Sequence, residues 1–390
     1  MRDVLIVGAG LCGLQAAGDL HRANRRVLVL DKGRGVGGRA ATRRWDGVPV
    51  DHGAQFFTVR TWAFWAQTAR WLAHGVCFPW AEGFHQWDAE HGLHAPDPGE
   101  TGHPRYACRE GMSALGKSLS HVLPPDRIRL GAKVTALRLV DDEWGRYWRA
   151  EIEGASPDEP VTARTVVLTL PVPQALALLE SSGLLGSLDA EALGELQPVE
   201  VAPTLAVLLR GPAPRPEWKG IQLRDETLSW IGADSDKRSG DDAAADAPQT
   251  FVLHGSAEFS RRWQDGDLEE AARLMTARAG EIVGDWITRL PDQQIHRWRY
   301  ASVPHGLKDF AGVRLSRAGD PALFLAGDAF LGAKVEGAFL SGQEVAKVIL
   351  SQPIRPDPSK PKPFVWPPPA PPHGAQPGPY PSERPLAMRG

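Results

Sequence analysis

The chain has 390 residues, 42% of them apolar, and a formal charge of -3, which is enough material for two domains with a substantial core. Its arginines are dispersed with no aromatic-interleaved basic face, so a nucleic-acid partner is not expected, and no apolar run reaches the roughly twenty residues that span a bilayer. Three widely spaced cysteines, Cys12, Cys77 and Cys108, suit neither a disulfide framework nor a metal site, and point to a reducing, cytoplasmic setting.

Residues 3–31 read strand, glycine turn, helix, strand. A short apolar run, Asp3 to Val7, leads into Gly8-Ala9-Gly10-Leu11-Cys12-Gly13; an apolar-faced helix follows to about Ala23, then Val27 to Leu30 closes on Asp31. This is the dinucleotide-binding fingerprint in its required context. Gly8 permits the tight turn, Gly10 removes the side chain that would block a pyrophosphate, and Gly13 lets the helix pack closely. The amides at the helix start, Leu11 and Cys12 among them, then face the phosphates. Asp31 is placed to accept the hydroxyls of an adenosine ribose, and an acid there disfavours a 2′-phosphate. Because these apolar residues are a strand and a helix, residues 1–17 are not read as a signal peptide.

A second glycine-rich loop follows, Asp31-Lys32-Gly33-Arg34-Gly35-Val36-Gly37-Gly38-Arg39. Gly38 and Arg39 can bring a backbone turn and a fixed guanidinium onto the same pyrophosphate, with Lys32 beside the acid. Simple nicotinamide dehydrogenases have no need of such a loop. The arrangement is similar to FAD-binding proteins of the amine-oxidase type, so the expected cofactor is noncovalent FAD.

Further on, residues 48–58 read as a short strand turning at Gly53, with His52 structural. Residues 61–73 form a helix whose Trp62, Trp65 and Trp71 are expected to share a core face. From Tyr106 the chain returns to the nucleotide domain: a helix over 111–122, a short strand over 127–130, and a hairpin over 133–140 and 147–153, with Val134 among the cofactor contacts. Residues 165–171 are an unbroken apolar strand suited to a central parallel sheet. Between 172 and 300 the texture changes. Helices at 173–181 and 187–195 precede alternating strands at 200–210, 221–233 and 250–257, a long amphipathic helix at 267–288 and a strand at 293–302, which together predict an antiparallel sheet. The charged run Asp234 to Asp242 reads as a solvated loop.

A buried strand over 321–326 runs into Gly327-Asp328, whose carboxylate can accept a ribityl hydroxyl. The helix start Glu336-Gly337-Ala338 can point amides at the flavin ring. Beyond Gln352 come fourteen prolines between Pro353 and Pro385, a composition that cannot build a core and reads as a disordered or polyproline-like tail.

With these motifs in order, together with Gly53-Ala54-Gln55-Phe56-Phe57, Leu168-Thr169-Leu170-Pro171-Val172-Pro173 and Arg297-Trp298-Arg299-Tyr300, the sequence resembles the renalase family of flavoproteins over residues 1–350. The resemblance implies an α/β fold: a Rossmann-type FAD-binding domain like that of p-hydroxybenzoate hydroxylase (1–60, 105–171 and 303–352), and an α+β antiparallel-sheet substrate domain (61–104 and 172–302). It also implies oxidation of the 2- or 6-dihydro isomers of NAD(P), with hydride passing to flavin N5 and electrons to oxygen to give hydrogen peroxide. By the same resemblance, Gly8, Gly10, Gly13, Asp31, Arg39, Gly327 and Asp328 match FAD contacts, Ala54, Gln55 and Phe56 lie by the isoalloxazine, and Trp298, Arg299 and Tyr300 roof the substrate pocket. An amine oxidase or related desaturase is the alternative enzyme; an FAD-binding protein acting through its tail is the alternative without catalysis.

Overall fold

The structure, a computed structural model, describes residues 1–96, 103–143, 145–156, 160–238, 247–307 and 311–351. The proline-rich tail and the second half of the 234–242 run lie outside the described residues.

The first sheet has eight strands among the described residues. Its path runs Val134–Asp142, Gly145–Ile152, Val161–Leu168, Arg2–Val7, Val27–Asp31, Ile128–Leu130; Leu323–Ala326 also pairs with Val161–Leu168, and Gly312–Arg314 pairs with Leu323–Ala326. Arg2–Val7 is central, with Val4 opposite Val27 on one side and Thr165 on the other, both in parallel register. A strand covered on both faces has no polar side to show, hence its continuous apolar run. On one face the helices Leu11–Arg22, Trp62–Ala73, Ser113–Ser120 and Val335–Ser351 bury Leu14, Phe64, Trp71, Leu115 and Phe339 with Ile6 and Phe324. Trp71 is in this core, whereas Trp62 is exposed.

The other face is covered by the helices Val172–Ser181 and Ala190–Leu196, through Ala175, Leu179 and Leu196 against Leu5, Leu28 and Val166. The sequence groups these two helices with the strands that follow them. Amphipathicity shows only that a helix buries one face, and the packing puts that face on the first sheet.

The second sheet has seven strands among the described residues, in the order Asp292–Ser302, Ala202–Gly211, Gln249–Gly255, Leu228–Ala233, Gly220–Leu223, His85–Asp88, Gly92–His94. It is antiparallel except where Gly220–Leu223 meets His85–Asp88 in parallel. Period-two alternation separates its faces. Leu205, Val207, Leu209, Ile231, Phe251 and Leu253 lie under the helix Leu268–Val283. On the opposite face, register places His296, Ala206, His254 and Trp230 in one row across four strands, with Trp298 opposite Thr204 beside it. This second face meets the nucleotide domain, where Trp45 and Val50, from a hairpin of Thr42–Trp45 and Val48–Asp51, pack on Leu208 and Val252.

Candidate dinucleotide and substrate site

The fingerprint glycines are required by close approach. Gly8 has φ +118°, and a Cβ there would lie 2.5 Å from Thr169 Oγ1; a Cβ on Gly13 would lie 2.1 Å from the Gly8 carbonyl oxygen. Gly10 differs, since a Cβ there meets nothing within 4 Å. It opens onto free space at the start of the helix Leu11–Arg22, which has no side-chain cap. The first helical bond is Leu14 N–H to the Gly10 carbonyl at 3.0 Å, which leaves the amides of Leu11, Cys12 and Gly13 as first-turn donors. The second glycine loop closes on the same point: Gly37 N–H donates to the Ala9 carbonyl at 2.8 Å, and a Cβ on Gly38 would lie 3.2 Å from Gly10 Cα. An open cradle with unspent amides fits a pyrophosphate.

Asp31 ends its strand with both oxygens engaged, accepting from Ala9 N–H and Gly33 N–H at 2.6 Å each. Its carbonyl accepts from Ala132 N–H at 2.8 Å, which brings the strand starting at Val134 close to the end of the second strand. Lys32 is exposed.

Arg39 joins three segments. It pairs with Asp328 at 2.5 Å and donates to the Ala301 carbonyl at 3.2 Å, while its own carbonyl accepts from Ala54 N–H at 3.0 Å. Gly327 N–H donates to Ser341 Oγ at 2.8 Å, which fixes the Gly-Asp turn to the last helix. Gly337 allows that helix to start tightly, since a Cβ there would lie 1.9 Å from the Gly332 carbonyl oxygen.

Four candidate cofactor residues spend their side chains elsewhere. Glu336 accepts from Thr61 N–H and Oγ1 at 2.8 Å and from Arg60 N–H at 3.0 Å, so its carboxylate ties down the start of the helix Trp62–Ala73. Burial raises its pKa against those hydrogen bonds. Cys12 lies between two helices, its thiol pushed up to about 12 by burial and 3.9 Å from Ser341 Oγ; Leu11 is in the core. Gln55 is turned inward: its Nε2 donates to the Asp51 and Gly53 carbonyls and its Oε1 accepts from Lys237 at 3.1 Å. Of these four residues it is the backbone, not the side chain, that remains available to a cofactor.

Facing the second sheet, the 52–56 segment builds an aromatic wall. His52 stacks on Trp298 with centroids 5.2 Å apart and meets His296 edge-on at 4.5 Å. Phe56 packs on Phe84 at 4.7 Å and on Trp230 at 5.7 Å. The Trp230 indole lies flat along the sheet because its neighbours are Gly220 and Gly232, whose Cβ atoms would fall 2.2 and 2.5 Å from it. Burial, with the charges of His296 and Arg43, pushes the His52 pKa down to about 3, and burial with the Lys237 charge takes His254 to about 4. His52 Nδ1, His254 Nε2 and Trp230 Nε1 are buried with no hydrogen-bond partner.

Of the strand expected to roof the pocket, Trp298 is on this wall. Arg299 is not: it pairs with Asp265 at 2.8 Å, on the side of the helices Ala257–Trp263 and Leu268–Val283, as Arg297 does through the Gln264 carbonyl. Alternation along a strand sends adjacent residues to opposite faces. Tyr300 lies within an irregularity in the pairing with Ala202–Gly211, between Trp298 and Ser302.

The charged run at 234–238 is solvated only in part: Asp236 is exposed. Asp234 and Lys237 are fully buried in a short 3-10 helix, Asp234–Lys237. Lys237 Nζ reaches Asp234 at 3.0 Å and Asp51 at 3.2 Å, and Arg238 reaches the same carboxylates at 3.1 and 2.6 Å. Burial would raise the Asp51 pKa, but the charges of Lys237 and Arg238 outweigh it and hold it below the usual range. Adjacent acids and bases look in sequence like a solvated face, and their burial depends on Asp51, 186 residues away.

The profile of an NAD(P)-binding Rossmann-like domain matches residues 6–68, and that of the flavin containing amine oxidoreductase family matches residues 72–350. Similar curated proteins include (S)-6-hydroxynicotine oxidase of Paenarthrobacter nicotinovorans, 47% identical over 49 residues (13% of this chain and 12% of that protein), and putrescine oxidase of Kocuria rosea, 44% identical over 57 residues (15% and 12%). The chain thus matches about an eighth of the length of each of these relatives. Solved structures share the fold over far more of their length. Putrescine oxidase bound to putrescine has a TM-score of 0.63 at 15% identity, covering 90% of this chain and 99% of that one. Cyclohexylamine oxidase from Brevibacterium oxydans IH-35A has 0.62 at 13% identity, covering 89% and 98%. With the open pyrophosphate cradle, the acid-terminated second strand and the Gly-Asp turn, the family match settles what this protein is: it belongs to the flavin containing amine oxidoreductase family, and its cofactor is FAD.

Proposed function

We propose that the protein is a flavin-dependent oxidase of the renalase type, acting on dihydronicotinamide dinucleotides reduced at ring position 2 or 6, with oxygen as acceptor and hydrogen peroxide as the second product. FAD, when bound, supplies the hydride acceptor and the route for electrons to oxygen. Loss of hydride makes the pyridine ring aromatic, so no side chain has to remove a proton. The chain's part is to hold an uncharged, planar donor ring in place and keep water from it.

The lack of an unpaired anion on the wall, among the described residues, carries this reading. His52 and His254, with pKa values near 3 and 4, are uncharged at neutral pH, and the neighbouring surfaces are the rings of Phe56, Phe84, Trp230 and Trp298. The carboxylates behind it, Asp51 and Asp234, are already paired with Lys237 and Arg238. A substrate ammonium would find no free counter-ion among these groups, and stripping water from an unpaired charge is costly.

An amine oxidase is the second reading, supported by the family match and by putrescine oxidase among the relatives. Against it, residues 329–336 are Ala-Phe-Leu-Gly-Ala-Lys-Val-Glu, with neither Cys nor Tyr beside the Gly-Asp turn. Anaerobic stopped-flow of the FAD-loaded protein separates the two. The 2- and 6-dihydro isomers of NAD should bleach the flavin rapidly, ordinary NADH far more slowly, and putrescine or benzylamine not at all. Bleaching by an amine, with no response to any dihydronicotinamide, would replace the first reading with the second.

A further inference from the structure

We propose that Lys237 is a positioning residue for donor oxidation: its ammonium is the post around which residues 51–56 are curled, and the curl sets His52 and Phe56 on the substrate wall. The inference rests on the reading that this wall receives the donor.

All three ammonium protons have acceptors: Asp234 Oδ1 at 3.0 Å, Gln55 Oε1 at 3.1 Å and Asp51 Oδ2 at 3.2 Å. The Trp80 ring covers the same nitrogen, its centroid 5.0 Å away. Gln55 closes the loop, because its Nε2 returns to the carbonyls of Asp51 and Gly53. The backbone from 51 to 55 therefore makes a ring with Lys237 at its centre, and the two residues flanking Gly53 to Gln55 are directed outward: His52 onto Trp298 and His296, Phe56 onto Phe84 and Trp230. Gly53 fits only because it has no Cβ, which would lie 2.1 Å from the Arg39 carbonyl oxygen.

The rest of the cluster holds the post. Arg238 donates to Asp51, Asp234 and the Pro49 carbonyl, and Asp51 Oδ1 accepts from Thr42 Oγ1 and Met112 N–H at 2.7 Å each. Two carboxylates and two cations sum to zero charge. Buried ion clusters of this kind are seldom more stabilising than apolar packing of the same volume. What this cluster provides is a defined position: it fastens a segment of the nucleotide domain to one from the second sheet at the point where both meet the wall.

The test uses Lys237→Met with Asp234→Asn, which removes one charge of each sign so that Asp51 and Arg238 remain a balanced pair, and the single variant Gln55→Leu. The readout is hydrogen exchange of tryptophan indole N–H groups by NMR in the FAD-loaded protein. Trp298 reports the curl, because its indole donates to the His52 carbonyl at 2.8 Å although it does not touch Lys237. Trp148 and Trp286, bonded to the Pro321 and Val283 carbonyls, report general loosening. The expected result is exchange at Trp298 faster by about tenfold or more, with Trp148 and Trp286 unchanged and FAD content retained. With the donor that reduces the wild-type flavin fastest, the saturating rate should fall by about ten- to a hundredfold, the penalty for misplacement of about an ångström. Trp298 exchange within about twofold of wild type, or acceleration shared equally by all three indoles, would overturn the proposal. If no dihydronicotinamide reduces the wild-type flavin, the functional reading fails, while the indole measurement still decides the role of Lys237.

Discussion

Trp298 donates its indole N–H to the His52 carbonyl at 2.8 Å, and the two rings stack with their planes 16° apart. One contact thus joins the outer strand of the second sheet to the segment that follows the Thr42–Asp51 hairpin of the nucleotide domain. Trp298→Ala should leave FAD content intact and slow flavin reduction by about tenfold or more, since both wall residues lose their support. Arg299→Ala should change that rate by less than about twofold, because its exposed pair with Asp265 is worth about 1 kcal/mol at most and faces away. Stopped-flow traces of the two variants check the pair, and equal losses would put Arg299 back in the pocket.

FAD retention should depend on Asp31 and Asp328. Replacing either by Ala removes a charge-assisted hydrogen bond worth roughly 1.5–3 kcal/mol, about ten- to a hundredfold in affinity. Asp328→Ala also leaves the Arg39 guanidinium with the Ala301 carbonyl as its only acceptor among the described residues. Titration of apoprotein with FAD measures both; full flavin content in both variants would move the cofactor from the cradle described here.

Glu336 should matter for stability before it matters for flavin. Glu336→Ala leaves the Arg60 and Thr61 amides without their acceptor, at a cost of roughly 1–3 kcal/mol. Glu336→Gln, which keeps an acceptor oxygen, should cost less. Thermal melts give the order, and flavin loss at an unchanged melting temperature would instead place the side chain at the ring.

Stability should fall on acidification before the carboxylates titrate. In the folded protein His52 and His254 have pKa values near 3 and 4, against 6.5 when unfolded. Above about pH 6.5 both states hold these rings neutral; below it the unfolded chain binds protons that the folded chain refuses, so stability drops until pH approaches the folded values. Each ring contributes a slope of up to about 1.4 kcal/mol per pH unit in that window. Asp51, held below the usual range, adds its loss at lower pH. Urea midpoints at pH 7.5 and 5 should converge in the double variant His52→Asn with His254→Asn, and an unchanged slope would mean these rings titrate normally.

Flavin should be released intact by acid precipitation. Burial pushes the Cys12 and Cys77 thiols up to about 12 and Cys108 well above its usual value, so none supplies a thiolate for a covalent link. Yellow colour that stays with the precipitated protein would show otherwise.

The sequence by itself determined the parts governed by near neighbours. Gly8, Gly10 and Gly13, the acid closing the second strand, the alternation along 202–211 and 249–255, and the Gly-Asp turn each follow from backbone sterics or from a period of two within about ten residues. Only the tertiary structure decided where polar side chains spend their hydrogen bonds. Lys237 and Asp234 read as solvated until Asp51 is brought across the fold, 186 positions from Lys237, and the Glu336 carboxylate has no assigned partner until Arg60, 276 positions away, offers its amide. Burying such groups is favourable only when every donor meets an acceptor, and those partners come from segments that adjoin only once the two sheets have packed. The same holds for Arg299: its face was fixed by which side of the second sheet the helix Leu268–Val283 covers, a choice that alternation alone leaves undetermined because the two faces of a strand are equivalent until one is buried.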